Sequence, residues 1–183
     1  FTVSTFNPNA DPETTSVDGR TTEGTTTQTW AAKHDALTGD IADDINNNLL
    51  RLTASTTSNR WDVMDRCFLL FDSSSLPDGD EISAANIQLK VIVGGVTDNF
   101  SQSVDIITTT PASNTAIVAG DYDQVGTVLQ ATSLALSAIT ADAYNTWNFN
   151  ATGLGNISKT AISKFGIRHS GDTSNTEPTW ASG

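Results

Sequence analysis

The side chains that most often carry nucleophilic or acid–base chemistry are scarce in this chain. It has two histidines, His34 and His169, which lie far apart in the sequence, and one cysteine, Cys67. The G-x-S-x-G turn that presents the nucleophile of many hydrolases is absent. Cys67 falls in an apolar run that predicts a central strand, where a thiol acts as a small hydrophobic side chain. We therefore predict that the protein is not an enzyme, and a polysaccharide-degrading enzyme is a remote alternative.

Acidic residues form two short clusters in predicted loops. Calcium takes carboxylate and backbone oxygens from irregular loops, so each cluster is a candidate metal site. The alternative is that both clusters are ordinary solvated loops. Zinc does not fit one cysteine and two separated histidines. We predict a structural Ca²⁺ as the cofactor, with the candidate ligands Asp40, Asp43, Asp44, Asp121 and Asp123.

Two aromatic residues lie among polar neighbours and are candidates for stacking on a sugar ring. Trp61 is flanked by Arg60 and Asp62, and Tyr122 stands between two aspartates. An exposed aromatic ring beside hydrogen-bonding side chains is the arrangement that binds carbohydrate. The alternative is a loop aromatic that packs onto the edge of the fold, because large aromatic side chains are mostly buried. We predict a ligand site formed by Trp61, Arg60, Asp62 and Tyr122.

The composition of the chain limits the kinds of partner that we expect it to bind. Nine Lys and Arg stand against 21 Asp and Glu, which gives a net charge of −12. Nucleic-acid binding depends on Lys and Arg contacts to phosphate, so we expect no nucleic-acid partner. No apolar run approaches the ~20 residues of a membrane-spanning helix, so we expect no membrane insertion. The polar surface is made by Thr, Ser and Asn with few Lys, a composition common in secreted, adhesive and virion proteins.

The apolar residues occur in short runs separated by Gly, Asn, Asp, Ser and Pro, as in an all-β domain. Residues 66–71 are apolar on both faces and predict a central strand, whereas residues 86–93 alternate and predict a half-exposed one, with Gln88 and Lys90 outward. We predict one antiparallel β-sandwich of the jelly-roll type, with about eight strands and one or two short helical turns. The other elements predicted are strands at 25–35, 49–54, 103–109, 127–133, 146–150 and 164–170, a short helix within 152–163, an extended segment at 1–20 and a loop-like tail at 171–183.

Two segments carry a resemblance to a known family. The run RCFLLFDSSSLPDGDEISAANIQLKV, residues 66–91, and the later run from YNTWNFNATGLGNISK to FGIR, residues 144–168, occur in the right order. Together they resemble the DNRLRE, or disaggregatase-related, domain family, in a variant similar to phage and environmental structural proteins. The resemblance implies a jelly roll without catalytic activity, in a family where some members bind carbohydrate. It also implies an extracellular or virion location.

The end of the chain departs from that family. Its members continue into a final strand, whereas this sequence reaches Trp180 without one. We expect that strand to be missing or to be supplied by a neighbouring chain. The function predicted is a multivalent structural or adhesion module that binds polysaccharide or a cell-surface glycan and associates with copies of itself. The alternative is a virion decoration or fibre protein that binds itself or a shell and has no sugar ligand.

Overall fold

The computed structural model describes residues 2–45, 49–92 and 95–181. Most of its regular structure is antiparallel β-sheet. Within these ranges, three five-residue helices and two 3₁₀ turns, Ala119–Asp121 and Leu136–Ala138, lie between the strands or after the last one. The elements are β1 (Asp18–Glu23), α1 (Trp30–His34), β2 (Ile41–Asp43), β3 (Leu52–Ala54), β4 (Trp61–Asp72), β5 (Asn86–Lys90), β6 (Ser103–Thr108), β7 (Leu134–Ala135), β8 (Tyr144–Asn148), α2 (Ala151–Gly155), β9 (Ile162–His169) and α3 (Ser170–Ser174).

The larger sheet is built around β4. Its strand order is β2-β1-β4-β9-β6-β7, and β3 also pairs with β4. Every residue from Met64 to Leu70 is buried, because β4 has neighbouring strands on both sides and covering layers on both faces. β9 pairs with β4 in the register Cys67↔Ile167, and on its other side with β6 in the register Ile106↔Ile167. This arrangement accounts for the unbroken apolar run in the sequence.

One face of the larger sheet is covered by a second, two-stranded sheet made of β5 and β8. Ile87 and Trp147 from the small sheet join Cys67, Val104 and other residues of the larger sheet in one hydrophobic cluster. The indole Nε1 of Trp147 donates a hydrogen bond to the carbonyl of Val104 at 3.1 Å. The two sheets therefore form a sandwich, with its main core between them.

The opposite face of the larger sheet is covered by loops and short helices. Trp30 of α1 packs edge-on against Trp61, with 5.4 Å between the ring centroids. The tail also contributes, because the Glu177 carboxylate accepts a hydrogen bond from Trp61 Nε1 at 2.8 Å and Trp180 packs against this cluster. Residues 175–181 contain no strand. Their packing fixes the tail on the body of the domain, and a strand supplied by a neighbour stays a prediction.

The predicted all-β antiparallel sandwich is confirmed, and so are a short helix after β8 and the short helical turns, of which Ala119–Asp121 is one. The strand predicted at 25–35 is wrong. Residues 30–34 form α1, because the Thr29 side chain caps the helix by accepting a hydrogen bond from the Ala32 N–H. The strand predicted at 127–133 is also wrong. Residues 127–133 form no continuous strand, and regular pairing with β6 begins only at Leu134.

Candidate functional site

The outward face of the small sheet is the clearest candidate for a binding surface. β5 and β8 pair in register, and side chains alternate between the core and solvent along both strands. The inward positions Ile87 and Trp147 hold the sheet in the core. The outward positions form three cross-strand pairs, Asn86↔Asn148, Gln88↔Thr146 and Lys90↔Tyr144.

Tyr144 gives this face an aromatic platform. Tyr144 is 69% exposed. Among the described residues, it is the one aromatic in the set of exposed large hydrophobic residues. Lys90, directly opposite, forms an ion pair with Asp142 at 3.0 Å. Because both of those side chains are more than half exposed, this pair adds little to stability. It does leave the tyrosine end of the face close to electrically neutral.

The rest of the outward face is made of amides and a hydroxyl. The side-chain amides of Asn86, Gln88 and Asn148 are exposed and make no hydrogen bond with any described residue. Each amide carries two donors and one acceptor, so it can bond two groups of a ligand at once. Three pairs spaced at two-residue steps extend over roughly 13 Å along the strands. The face therefore offers a ring for stacking and, next to it, a row of free hydrogen-bonding groups.

The ligand site predicted at Trp61 and Tyr122 is wrong, because both rings are buried. Trp61 and Tyr122 are each 0% exposed. Trp61 is the first residue of β4, and its ring is enclosed by Trp30 and Phe100. Its predicted neighbours are half-buried: Arg60 bonds the backbone of the adjacent residue, and Asp62 accepts a hydrogen bond from Thr27 at 2.6 Å. These side chains serve the fold, as the alternative interpretation held.

Tyr122 is buried beside a cation. Its hydroxyl donates a hydrogen bond to the carbonyl of Lys33 at 2.9 Å, and the guanidinium of Arg66 lies 4.1 Å from the ring centroid. Burial raises the pKa of the Tyr122 hydroxyl well above its usual range, and the Arg66 charge opposes that effect only in part. The ring is therefore unavailable to a ligand from solvent.

The aspartates proposed as calcium ligands do not come together. Among the described residues, no three His, Cys, Asp or Glu side chains are grouped so that they could hold a metal ion. Asp43 pairs with Arg20 at 3.1 Å, and Asp123 is exposed. Calcium binding therefore stays a prediction that has no site within these ranges.

The other three candidate ligands fix loop backbone instead. Asp40 accepts hydrogen bonds from the N–H groups of Thr25 and Gly24, which hold the pKa of its carboxyl below the usual range. Asp44 accepts from the N–H of Ile117 at 3.0 Å. Asp121 bridges two further N–H groups in the 3₁₀ turn region, those of Ala112 and Val118. Short acidic side chains often satisfy turn backbone in this way.

A buried charge cluster lies on the far side of the larger sheet. Asp172 of α3 sits between Arg66 of β4 and Arg168 of β9, and its carboxylate accepts four N–H bonds of 2.7 to 2.9 Å from them. Burial alone would raise the pKa of Asp172, but the two guanidiniums outweigh it and lower the pKa to about 2. All three side chains are almost fully buried. The cluster joins α3 to the sheet and is closed to ligands.

The histidines and the cysteine do not form a catalytic arrangement. His34 faces the backbone carbonyl of Asp172 at 3.0 Å, whereas His169 is buried on the opposite face of the larger sheet. Cys67 lies in the core, and burial raises the pKa of its thiol far above the usual range. No helix in the described ranges is long and apolar enough to cross a bilayer.

Sequence reasoning missed Tyr144, although a signal for it was present. The alternation that places Trp147 inward and Thr146 outward continues back to Tyr144, two residues before the predicted start of that strand. Comparison with protein-family models, with curated proteins and with solved structures finds no match to this chain. The resemblance to the DNRLRE family therefore stays a prediction, and the functional interpretation depends on the geometry of the site.

Proposed function

We propose that this protein is a non-catalytic module that binds glycans through the outward face of β5 and β8. The observation that carries the proposal is the exposed ring of Tyr144 on the same sheet face as three free side-chain amides. A sugar ring presents an apolar face of C–H groups and a rim of hydroxyls. An aromatic ring stacks on the first, and amides bond the second.

The charge of the surface favours a neutral polysaccharide. The chain carries a net charge of −12, which repels polyanionic glycans at long range. Among the described outward side chains of β5 and β8, Lys90 alone is charged, and Asp142 neutralises it. Hydroxyl-to-amide hydrogen bonds need no ionised group, so neutral hexose polymers match this chemistry best.

We further propose that binding is multivalent and occurs outside the cell or on a virion. A shallow face with one aromatic ring gives weak affinity for a single site, because much of the ligand stays in water. Copies displayed on an assembly gain affinity through effective concentration. The Thr-, Ser- and Asn-rich surface, with its low charged fraction of 16%, supports the same setting.

A polysaccharide pull-down and a glycan array on the wild-type chain test the proposal. We expect retention on neutral polysaccharides and loss of retention in the double variant Gln88→Ala/Asn148→Ala, which removes two amides and leaves the core untouched. Val128→Ala is the matched control, because Val128 is exposed but lies outside this face. A wild-type chain that binds no glycan on either platform would contradict the proposal.

A second function, self-assembly through strand pairing, is favoured by one observation. Within the described residues β5 and β8 pair only with each other, so each has an open edge along most of its length. An open edge is a template for a strand from another chain. Size-exclusion chromatography with light scattering tests this function. Stable oligomers that a Pro substitution at Gln88 disperses would support it, and a monomer at every concentration would oppose it.

A further inference from the structure

A groove lies on the other side of the molecule, along β6 and α3. It has a volume of about 370 Å³ and faces away from the small sheet, since Asp105 points opposite to the core residues Val104 and Ile106. Its lining includes the side chains of Asp105, Thr127, Leu129, Ser170, Thr173 and Ser174. This volume is within the range of small-molecule sites.

Asp105 is the buried member of this lining and forms the floor of the groove. Its side chain is 3% exposed, and its Oδ1 accepts no hydrogen bond from any described residue. Arg168 lies directly opposite on β9, yet its N–H groups bond Asp172 and the carbonyl of Gly126. A buried carboxylate oxygen without a donor is unfavourable, so the floor of the groove is set up to accept a donor from outside the chain.

The hydroxyls around the floor add acceptors of their own. Thr173 donates its hydroxyl proton to the carbonyl of His169 at 3.2 Å, and Ser174 donates its proton to the carbonyl of Ser170 at 2.9 Å. Ser170 in turn donates to the side-chain oxygen of Gln102 at 3.3 Å. Ser170 Oγ also accepts a hydrogen bond from the N–H of Ser103 at 3.0 Å. With these protons committed, the lone pairs left for a ligand are those of Thr173 and Ser174 and the remaining one of Ser170. The groove is therefore rich in acceptors and carries a negative charge at its floor.

We propose that this groove binds a small ligand through a protonated primary amine. An ammonium group has three donors and no acceptor, which complements one carboxylate ringed by hydroxyl oxygens. Leu129, 38% exposed, offers an apolar contact for the carbon skeleton of the ligand. The net charge of −12 draws cations to the molecule at long range. This site is separate from the glycan face and does not depend on the function proposed for that face.

Titration of the wild-type chain with four probes tests this proposal directly. Binding is measured by calorimetry and by ¹⁵N–¹H chemical shifts. Glucosamine and 1,5-diaminopentane carry the ammonium, whereas glucose and N-acetylglucosamine are uncharged. We expect the amines to shift the amides of residues 103–105, 127–129 and 170–174, and to bind at least tenfold more tightly than the neutral sugars. Binding of glucosamine alone would identify an amino sugar, and binding of the diamine alone an aliphatic amine.

Three results would overturn the proposal. They are no binding of either amine, equal binding of glucose and glucosamine, and displacement of a bound amine by Ca²⁺ with the same shifts, which would indicate a simple cation site. Asp105→Asn should lower amine affinity at least tenfold, while Asp80→Asn, the same charge change on an exposed loop, should leave it unchanged. Thr173→Val keeps Asp105, removes one acceptor and should weaken binding several-fold. Unchanged amine affinity in folded Asp105→Asn and folded Thr173→Val would also overturn the proposal.

Discussion

We predict that removing the charge of Asp172 lowers the stability of the folded state. Its carboxylate is the shared anion of two buried arginines, Arg66 and Arg168, through four short hydrogen bonds. Asp172→Asn keeps the size of the side chain but removes the charge and half of its acceptor capacity. Two guanidiniums would then be buried with no anion between them, and removing one partner of a buried ion pair costs about 3 to 5 kcal/mol.

The lowered pKa of Asp172 points to a cost in the same direction. A pKa of about 2, against an ordinary value of 3.8, means that folding stabilises the ionised carboxylate over the protonated acid by roughly 2 kcal/mol more than the unfolded chain does. The protonated acid still accepts some of the arginine N–H bonds, so losing the charge accounts for only part of the interaction. We therefore expect Asp172→Asn to lower the free energy of unfolding by about 3 to 5 kcal/mol near neutral pH.

Urea denaturation followed by tryptophan fluorescence measures this change, with Asp80→Asn as the exposed control. Because the folded pKa is lowered, the contribution of Asp172 is present above about pH 4 and is lost as the pH falls through about 2. The gap between wild type and variant should therefore narrow in acid. A loss below about 1 kcal/mol at neutral pH, with an unchanged denaturant slope, would refute a stabilising role for the buried cluster.

Acid titration, glycine packing and the tryptophan cluster each give a further prediction. Burial lowers the pKa of His169, so stability should fall below pH 6.5 by up to ~1.4 kcal/mol per pH unit, and His169→Gln should flatten that slope in denaturation curves. Gly166→Ala should cost about 1 to 3 kcal/mol, because its Cβ would overlap Thr109 and a backbone oxygen, whereas Gly79→Ala, with open space around it, should change little in the same melts. Trp61→Ala should cost about 3 to 5 kcal/mol of unfolding free energy, whereas a substitution at the exposed Tyr144 should stay within about 0.5.

The strands that carry their own pattern could be predicted from the sequence. Residues 66–71 are apolar on both faces and form the centre of β4, and the alternation around Gln88 predicted the exposed side of β5. Tyr144 was missed because the predicted strand began at residue 146. Its partner on β5, Lys90, is far away in the sequence, and only the pairing register brings the two together.

The burial of Trp61 and the charge cluster depend on contacts between distant parts of the chain. Trp61 looks like a loop residue because Arg60 and Asp62 flank it. Its cover comes from α1 and from Glu177, which is 116 residues further along. Arg66 and Asp172 are separated by 106 residues. The spacing of residues within a short segment carries no information about such distant pairs. The polar neighbours of Trp61 therefore led to the wrong prediction that its ring is exposed.

The central claim is that Tyr144 is the stacking platform of a glycan-binding face. Calorimetric titration of the best neutral oligosaccharide against Tyr144→Ala, Tyr144→Phe and the control Val128→Ala tests it most directly. Stacking predicts at least a tenfold loss of affinity, about 1.4 kcal/mol, for the alanine variant, and near wild-type affinity for the phenylalanine variant and the control. Equal affinity of wild type and Tyr144→Ala would contradict the claim and place any glycan site elsewhere on the molecule.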